Sequence, residues 1–356
     1  MVDNWKTVLA FIWVLLSATV LFTQDLEDLS FGTDNSLDIA TWNIEWFPKN
    51  DQITVAYVTE IMEQLELDVL AIQEVDNTAM FDQMLDALPA YTGYYESAWF
   101  AGLAYIYKTE SVEINDIYEI YTTSPYWSAF PRSPMVMDMN FMGENYFLIN
   151  NHFKCCGDGI LDLNNESDEE KRRYNAANLL KEYIDTNLSD KNVLVLGDLN
   201  DDIAEAPQNN VFQMILDDPD NYHFVDFEIA NGSSSDWSYP TWPSHLDHIL
   251  ITNELFDELD NSDVQTIKID EYLDGGWNAY DQNISDHRPV AIKFNFNSNI
   301  NGDINGDGIL NIQDIILIVT MVLADDYSIE ADLNEDGTID ILDVVLVAFI
   351  ILNPEP

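Results

Sequence analysis

Residues 192–202, NVLVLGDLNDD, restrict the possible folds of this chain more than any other stretch. Residues 193–196 are an apolar run suited to a strand, and Gly197 then leads into Asp198 and Asn200, two positions apart. This order describes a buried strand that delivers polar side chains where the backbone leaves its sheet. Period-two geometry predicts that Asp198 and Asn200 point to one side, so that a carboxylate and an amide share a cleft. A carboxylate binds a cation or takes a proton, and an amide donates to a developing oxyanion. A turn built on Asp and Asn explains the same residues, so the other strands must decide.

They end the same way. Residues 37–43 read as a strand ending at Asn43 and Glu45, and 69–73 as a buried strand running into Glu74. Further strands are expected at 103–107, 135–140, 146–150 (ending beside His152), 246–252 and 290–296. Apolar residues at helical spacing mark 54–65 and 78–88, the second stopped by Pro89, and 167–186 has an acidic first turn with a later apolar face. Strands alternating with helices predict a layered α/β domain over 25–296. A composition of 47% hydrophobic and 12% aromatic residues is ample for its core. The polar strand ends form one set: Asn43 and Glu45, Glu74, His152, Asp198 and Asn200, Asp247 and His248, Asp286 and His287. Three of the chain's five histidines adjoin these ends.

Matching runs TWNIEWF, LAIQEVD, FPRSPMV, NNHFK, LVLGDLND, HLDHILI and ISDHRPVAI occur in the order seen in the deoxyribonuclease-I-like endonuclease/exonuclease/phosphatase superfamily, which this part of the chain resembles. The resemblance implies a four-layer sandwich, two packed β-sheets flanked by helices, and a divalent-metal-dependent phosphoester hydrolase. Carried over by motif, Glu74 with Glu45, Asn43 and Asp286 would hold Mg²⁺ or Mn²⁺. Arg132 and Asn200 would contact the phosphate, His152 would stabilise or protonate the departing side, and His287 with Asp247 would handle the water proton. The chemistry agrees, since Mg²⁺ prefers carboxylate oxygens and water. An imidazole backed by a carboxylate accepts a proton near neutral pH, which makes His287 the preferred base and Asp198 the second choice. Some members that act at abasic DNA sites place a tyrosine where this chain has His152, so NNHFK is closer to the deoxyribonuclease, sphingomyelinase and phosphatase branches.

Charge narrows the substrate. With 65 acidic and 13 basic residues the formal net charge is −52, so a polyanion is repelled at low salt. Lys154 and Arg288 flank candidate catalytic positions and would either form a small phosphate-seeking patch or balance nearby carboxylates. The two cysteines, Cys155 and Cys156, are neighbours and cannot build a disulfide framework. Their Cα atoms lie about 3.8 Å apart, below the usual disulfide range, so they are either reduced or joined by a strained bond, and they are not read as a metal site.

Residues 303–314 (DINGDGILNIQD) and 332–343 (DLNEDGTIDILD) repeat one pattern, and each precedes an apolar segment. Oxygen side chains recur where a calcium loop needs them: Asp303, Asn305, Asp307, Asn311 and Asp314 in the first copy, Asp332, Asn334, Asp336, Asp340 and Asp343 in the second. Ile309 and Thr338 would add backbone carbonyls. From Asn301 onward there is no Lys, Arg or His, so folding of 302–353 is expected to depend on two Ca²⁺. Aspartate at the last position and the absence of a clear preceding helix resemble the dockerin family, which implies a small all-α module docking to a cohesin-type receptor, after a linker at 297–301.

Residues 1–24 carry a short polar start and an apolar run at 8–22, too short for a span of roughly 20 residues. They read as an export signal, with retention as an anchor as the alternative, and no later stretch suits a bilayer. The whole reads as a secreted or surface-associated, Mg²⁺-dependent phosphodiesterase acting as an extracellular nuclease. A phosphatase or sphingomyelinase-like phosphodiesterase is the enzymatic alternative, and a calcium-dependent adhesion or scaffold protein the other.

Overall fold

Alternating burial along the strands sets the layering. The computed structural model describes residues 25–97, 101–259, 261–296, 302–305, 310–324, 326–334 and 336–352. The leader 1–24, the linker 297–301, and Asp307 and Ile309 of the first acidic loop lie outside the described residues.

The strands are β1 (Ser36–Phe47), β2 (Val69–Val75), β3 (Tyr91–Tyr94), β4 (Gly102–Lys108), β5 (Val112–Glu119), β6 (Met135–Phe141), β7 (Glu144–His152), β8 (Asn192–Asp198), β9 (Tyr222–Phe224), β10 (Asp247–Thr252), β11 (Ser262–Thr266) and β12 (Val290–Asn295). Among the described residues they form two six-stranded sheets, ordered β11-β12-β1-β2-β4-β3 and β5-β6-β7-β8-β10-β9. Each is mixed: β1 runs parallel to β2 and β7 parallel to β8, while their other neighbours are antiparallel.

Leu37, Ile39, Val69 and Ala71 of one sheet meet Met137, Leu148, Leu194, Leu196 and Ile249 of the other in a sealed core. The intervening residues face outward and are covered by helices. Ala40, Trp42 and Ile44 pack with residues of α1 (Asp51–Leu65) and α2 (Thr78–Asp86), whereas Val193 and Val195 pack with residues of α3 (Glu169–Asn187). Short turns α4 (Gln213–Leu216), α5 (Phe227–Ala230) and α6 (Phe256–Leu259) and the two-turn α7 (Trp277–Asn283) complete the outer layers. Two packed mixed sheets flanked by helices are the arrangement that the family resemblance implied, and they agree with the layered α/β domain read from the alternation of strands and helices.

Each of the eight strands expected from apolar runs is present. The four that were not expected, β3, β5, β9 and β11, are the four sheet edges. Their exposed or short sequences, such as VEINDIYE, lack the apolar run that marks a strand covered on both faces.

Between the sheets, apolar packing stops short of one end. Gln73 Nε2 donates to Asn150 Oδ1 across the interface (2.8 Å), and Asn150 Nδ2 donates to the Ile72 and Ala104 carbonyls. This buried polar brace ties the two sheets together directly beneath the strand ends that carry the candidate site.

In the C-terminal residues, α8 (Ile312–Ala324) and α9 (Ile341–Leu352) bury Ile318, Ala331 and Val347 in a small core of their own. Leu323, Leu342 and Phe349 are exposed. Among the described residues no helix is long and apolar enough to cross a membrane.

Candidate active site

The same alternation that buries leucines delivers the polar groups. Along β8, Leu194 and Leu196 face the opposite sheet, and Asp198 continues that side where the core gives way. By the same parity β7 presents His152, β10 presents Asp247 and β1 presents Asn43. Gly197, at φ +144°, is required because a Cβ there would lie 2.0 Å from the Asn151 carbonyl of the paired strand.

These side chains converge. Asp198 Oδ2 accepts from Asn43 Nδ2 (3.0 Å) and lies 3.4 Å from His152 Nε2 and 3.9 Å from His287 Nε2. His287 Nδ1 meets Asp247 Oδ2 at 2.6 Å, and Glu74 Oε1 is 3.8 Å from His152 Nε2. Glu45 Oε2 accepts from the Asp286 amide (2.9 Å) and from Lys49, while Glu74 Oε2 accepts from the Trp46 amide (3.0 Å). Left-handed φ values at Glu45 (+36°), Trp46 (+50°) and Glu74 (+67°) accompany the register shift between Asn43 and Phe47 in the β1–β2 pairing, and Asn200 (+55°) turns the chain after β8.

Residues that sequence reasoning passed over hold the set in place. Ser285 Oγ donates to the Asn43 carbonyl (2.6 Å) and accepts from the His287 amide (3.0 Å). Trp42 Nε1 and the Tyr280 hydroxyl both donate to the His287 carbonyl, and the Tyr239 ring lies on the imidazole, centroids 4.8 Å apart. From α3, buried Arg173 donates through Nε to Asp201 (2.6 Å) and through Nη1 to the Lys154 and Cys156 carbonyls (2.7 and 2.6 Å). It thereby clamps the loops that follow His152 and Asp198. Ser285 sits inside the ISDH run, but nothing in the local sequence marks Arg173.

Electrostatics redistribute the expected roles. Burial opposes a charge on His287, yet the Asp247 and Asp198 carboxylates outweigh it and push the imidazole up to about 10. This environment favours the protonated imidazole at neutral pH, which weighs against His287 as the base and toward Asp198. Burial raises Asp198 to about 7, and this second choice is the group able to take a proton. Burial, aided by the Arg132 and His287 charges, holds His152 well below the usual histidine range, which favours its neutral form and, of the two roles expected for it, the stabilising one.

Other expectations change through parity and pairing. Asn200 does not extend the strand: its φ turns the chain, its amide caps Asp198 Oδ1 (3.1 Å) and its side chain donates to the Phe153 carbonyl (3.3 Å). Its side chain therefore ties the loop after β8 to the residue after His152, and the period-two argument for it fails. His248 faces away from the site because it follows Asp247 on the alternating strand. There Nδ1 meets Asp226 Oδ2 (2.6 Å) and Nε2 the Asp201 carbonyl (2.9 Å), and His245 Nε2 also binds Asp226 (3.0 Å). Arg288 forms a two-point ion pair with Asp270, and Lys154 turns back to the Cys155 carbonyl, so neither builds a phosphate patch. Arg132 Nε donates to the Ala101 carbonyl while its charge reaches His152.

The model of the endonuclease/exonuclease/phosphatase family matches residues 40–287, from within β1 to His287. The chain belongs to this family. Its members' fold recurs in D. rerio TDP2 complexed with single strand DNA product (16% identity, TM-score 0.54, covering 73% of this chain and 99% of that one). It recurs also in the human Nocturnin catalytic domain with bound sulfate anion (14%, 0.53, 73% and 94%) and in an endonuclease/exonuclease/phosphatase from Bacteroides vulgatus (15%, 0.50, 72% and 98%). No curated protein matches the sequence closely. As a family member the chain is a metal-dependent phosphoester hydrolase.

The donor set suits a hard divalent cation. Burial and the neighbouring Asp286 charge raise Glu45 to about 7 despite Lys49, the mark of a carboxylate cluster short of positive charge. Glu74, Glu45 and Asp286 would hold the ion, with Asn43 beside them, although Asn43 Oδ1 already accepts from the Glu45 amide (3.0 Å). A bound divalent cation withdraws charge from a phosphoryl oxygen.

In the C-terminal loops the last aspartates organise the backbone. Asp314 accepts from the Ile304, Asn305 and Asn311 amides, and Asp343 from the Asn334 and Asp340 amides. Asp332 accepts from the Asp336 and Gly337 amides, Asp336 from Thr338, and Gly337 takes φ +85°.

Proposed function

We propose that this hydrolase is a secreted, Mg²⁺-dependent phosphodiesterase that cleaves nucleic acid. The observation that carries the reading is the convergence of His152 and His287 on Asp198 Oδ2 at the strand ends, with Glu74 Oε1 3.8 Å from His152 Nε2. Asp198 would accept the proton of the attacking water. The His287 imidazolium, fixed by Asp247 and Ser285, would donate to charge gathering on the phosphoryl oxygens, and neutral His152 would donate through Nε2, the nitrogen facing the two carboxylates. Arg132 and Asn200 would steady the phosphate from the other side. A TDP2 structure holding a single-stranded DNA product supports a nucleic-acid substrate on this fold.

A compact phosphoester is favoured as the second reading by one feature: Arg288 and Lys154 are both engaged elsewhere, which leaves a chain of charge −52 poorly equipped to attract a polyanion. Purified protein should be assayed with Mg²⁺ on plasmid DNA, sphingomyelin and a small phosphomonoester from low to high salt. DNA cleavage that rises as salt screens the repulsion is expected. No cleavage at any salt removes the nuclease reading, and turnover of either other substrate installs the second.

The acidic C-terminal repeats we read as a calcium-loaded, dockerin-like module that attaches the enzyme to a cohesin-type receptor through the exposed apolar faces of α8 and α9. The aspartates at the first, fifth and last positions of the loops and the asparagines at the third, Asn305 and Asn334, support this reading.

A further inference from the structure

The CCGDG loop has no part in the chemistry above, yet it begins three residues after His152 and is built with care. Free cysteine is among the most buried residue types and a liability on a surface, but Cys155 and Cys156 are both exposed. Their sulfurs are held together: Cys156 Sγ donates to Cys155 Sγ at 2.9 Å, and Lys154 Nζ lies 3.5 Å from Cys155 Sγ. The backbone around them is fixed from α3. Arg173 Nη1 takes the Lys154 and Cys156 carbonyls, Glu170 Oε1 takes the Gly159 amide (2.7 Å), and Cys156 itself is left-handed at φ +71°. A soft metal ion is a poor occupant, because the Lys154 ammonium sits where its charge would be.

We propose that Cys155 and Cys156 are a thiol–disulfide exchange site that closes reversibly to a vicinal disulfide. The oxidant is a low-molecular-weight disulfide. Cys155, whose sulfur lies beside Lys154 Nζ and Cys156 Sγ, attacks as thiolate one sulfur of that disulfide; the S–S bond breaks and the first small thiol leaves with the electron pair. Cys156 then gives up its proton and attacks Cys155 Sγ, and the second small thiol departs. Two protein thiols are thus oxidised by two electrons while one small disulfide becomes two thiols. Adjacent residues close a strained ring, so the bond is readily reduced again, as labile and regulatory disulfides are. Closing it reorients the Cys155–Cys156 peptide, which lies between the Lys154 and Cys156 carbonyls that Arg173 holds. Arg173 also binds Asp201, so the change reaches the loops behind His152 and Asp198.

The test treats the folded full chain with glutathione disulfide and follows its intact mass. Wild type should pass through a single adduct to a product lacking two hydrogen atoms, unreactive to maleimide and restored by dithiothreitol. Cys155→Ser and Cys156→Ser should each stop short of that product, the latter at a stable adduct. Stable adducts on both cysteines, or intermolecular dimers, would overturn the proposal. Hydrolysis of bis(p-nitrophenyl) phosphate should change several-fold between reduced and oxidised wild type and stay constant in the double serine variant. Equal rates for the two wild-type forms would sever the link to the site.

Discussion

Two buried clusters of aspartate and histidine lie on opposite faces of the same strand pair, and they use the same chemistry for different ends. On the inner face, Asp198, Asp247 and His287 bring their ligand atoms within 4.8 Å of one another, and on the outer face Asp226, His245 and His248 do the same. The outer cluster is closed. His248 has an acceptor at each ring nitrogen, His245 Nδ1 accepts from the Ser238 amide, and both Asp226 oxygens are taken. The inner cluster is left incomplete: Asp247 Oδ1 and His152 Nδ1 are buried without a hydrogen-bond partner. A satisfied buried ion pair specifies structure, whereas buried polar atoms left without partners at strand ends are poised for a ligand. Composition alone does not separate the two.

Substitution should pull them apart. The largest effect on rate is expected from Asp198→Asn, which should lower kcat/KM for a small phosphodiester by on the order of 10²–10⁴. Its urea midpoint should not fall, since a buried carboxylate raised to about 7 opposes folding at neutral pH. Retained activity would return the base role to another group. Asp226→Asn should reverse the pattern, costing about 3–5 kcal/mol in urea unfolding because the imidazolium of His248 loses its partner. The folded fraction should keep far more of its rate than the Asp198 variant does, and comparable losses in both would mean that the outer cluster also serves the reaction.

pH sharpens the contrast. At saturating Mg²⁺, kcat/KM should rise through an acid limb near 7 as Asp198 deprotonates and fall through an alkaline limb near 10 as His287 loses its proton. Asp247→Asn should move the alkaline limb down, because Asp247 is the main support of that imidazolium. Asp226 is held below the ordinary carboxylate range by His248, so its contribution to stability is in place above about pH 4 and lost only as pH falls further. Unfolding free energy should therefore show no step from Asp226 across the range in which activity titrates. The smallest effect on rate is expected from a calcium-selective chelator. It should unfold the α8–α9 unit, read by circular dichroism and protease cleavage, while Mg²⁺-dependent hydrolysis continues.

Apolar runs made eight strands legible, including every one that carries a candidate catalytic side chain at its end. The edge strands were hidden because a strand that faces water on one side and has a single neighbour needs no continuous apolar run. The polar strand ends were legible too, as aspartate, glutamate and histidine following leucine and valine. Their division into a working face and a structural face was not, since Asp247 and His248 are adjacent letters whose opposition exists only once β10 is paired and covered. Nor could spacing foresee that Asn200 would turn out of the strand, or that His287 would lie between the Asp247 and Asp198 carboxylates.

By itself, then, the sequence determined eight strands, the helices between them, a layered α/β class and the residue types available for phosphoester chemistry, because the period of apolar residues is a local property of the chain. Tertiary structure decided which of those residues share a pocket, which are sealed by partners, and what charge each one carries. Those properties depend on distances of a few ångströms between segments as far apart as Asn43 and Asp286, and the energy of a buried charge is set by what folding places beside it.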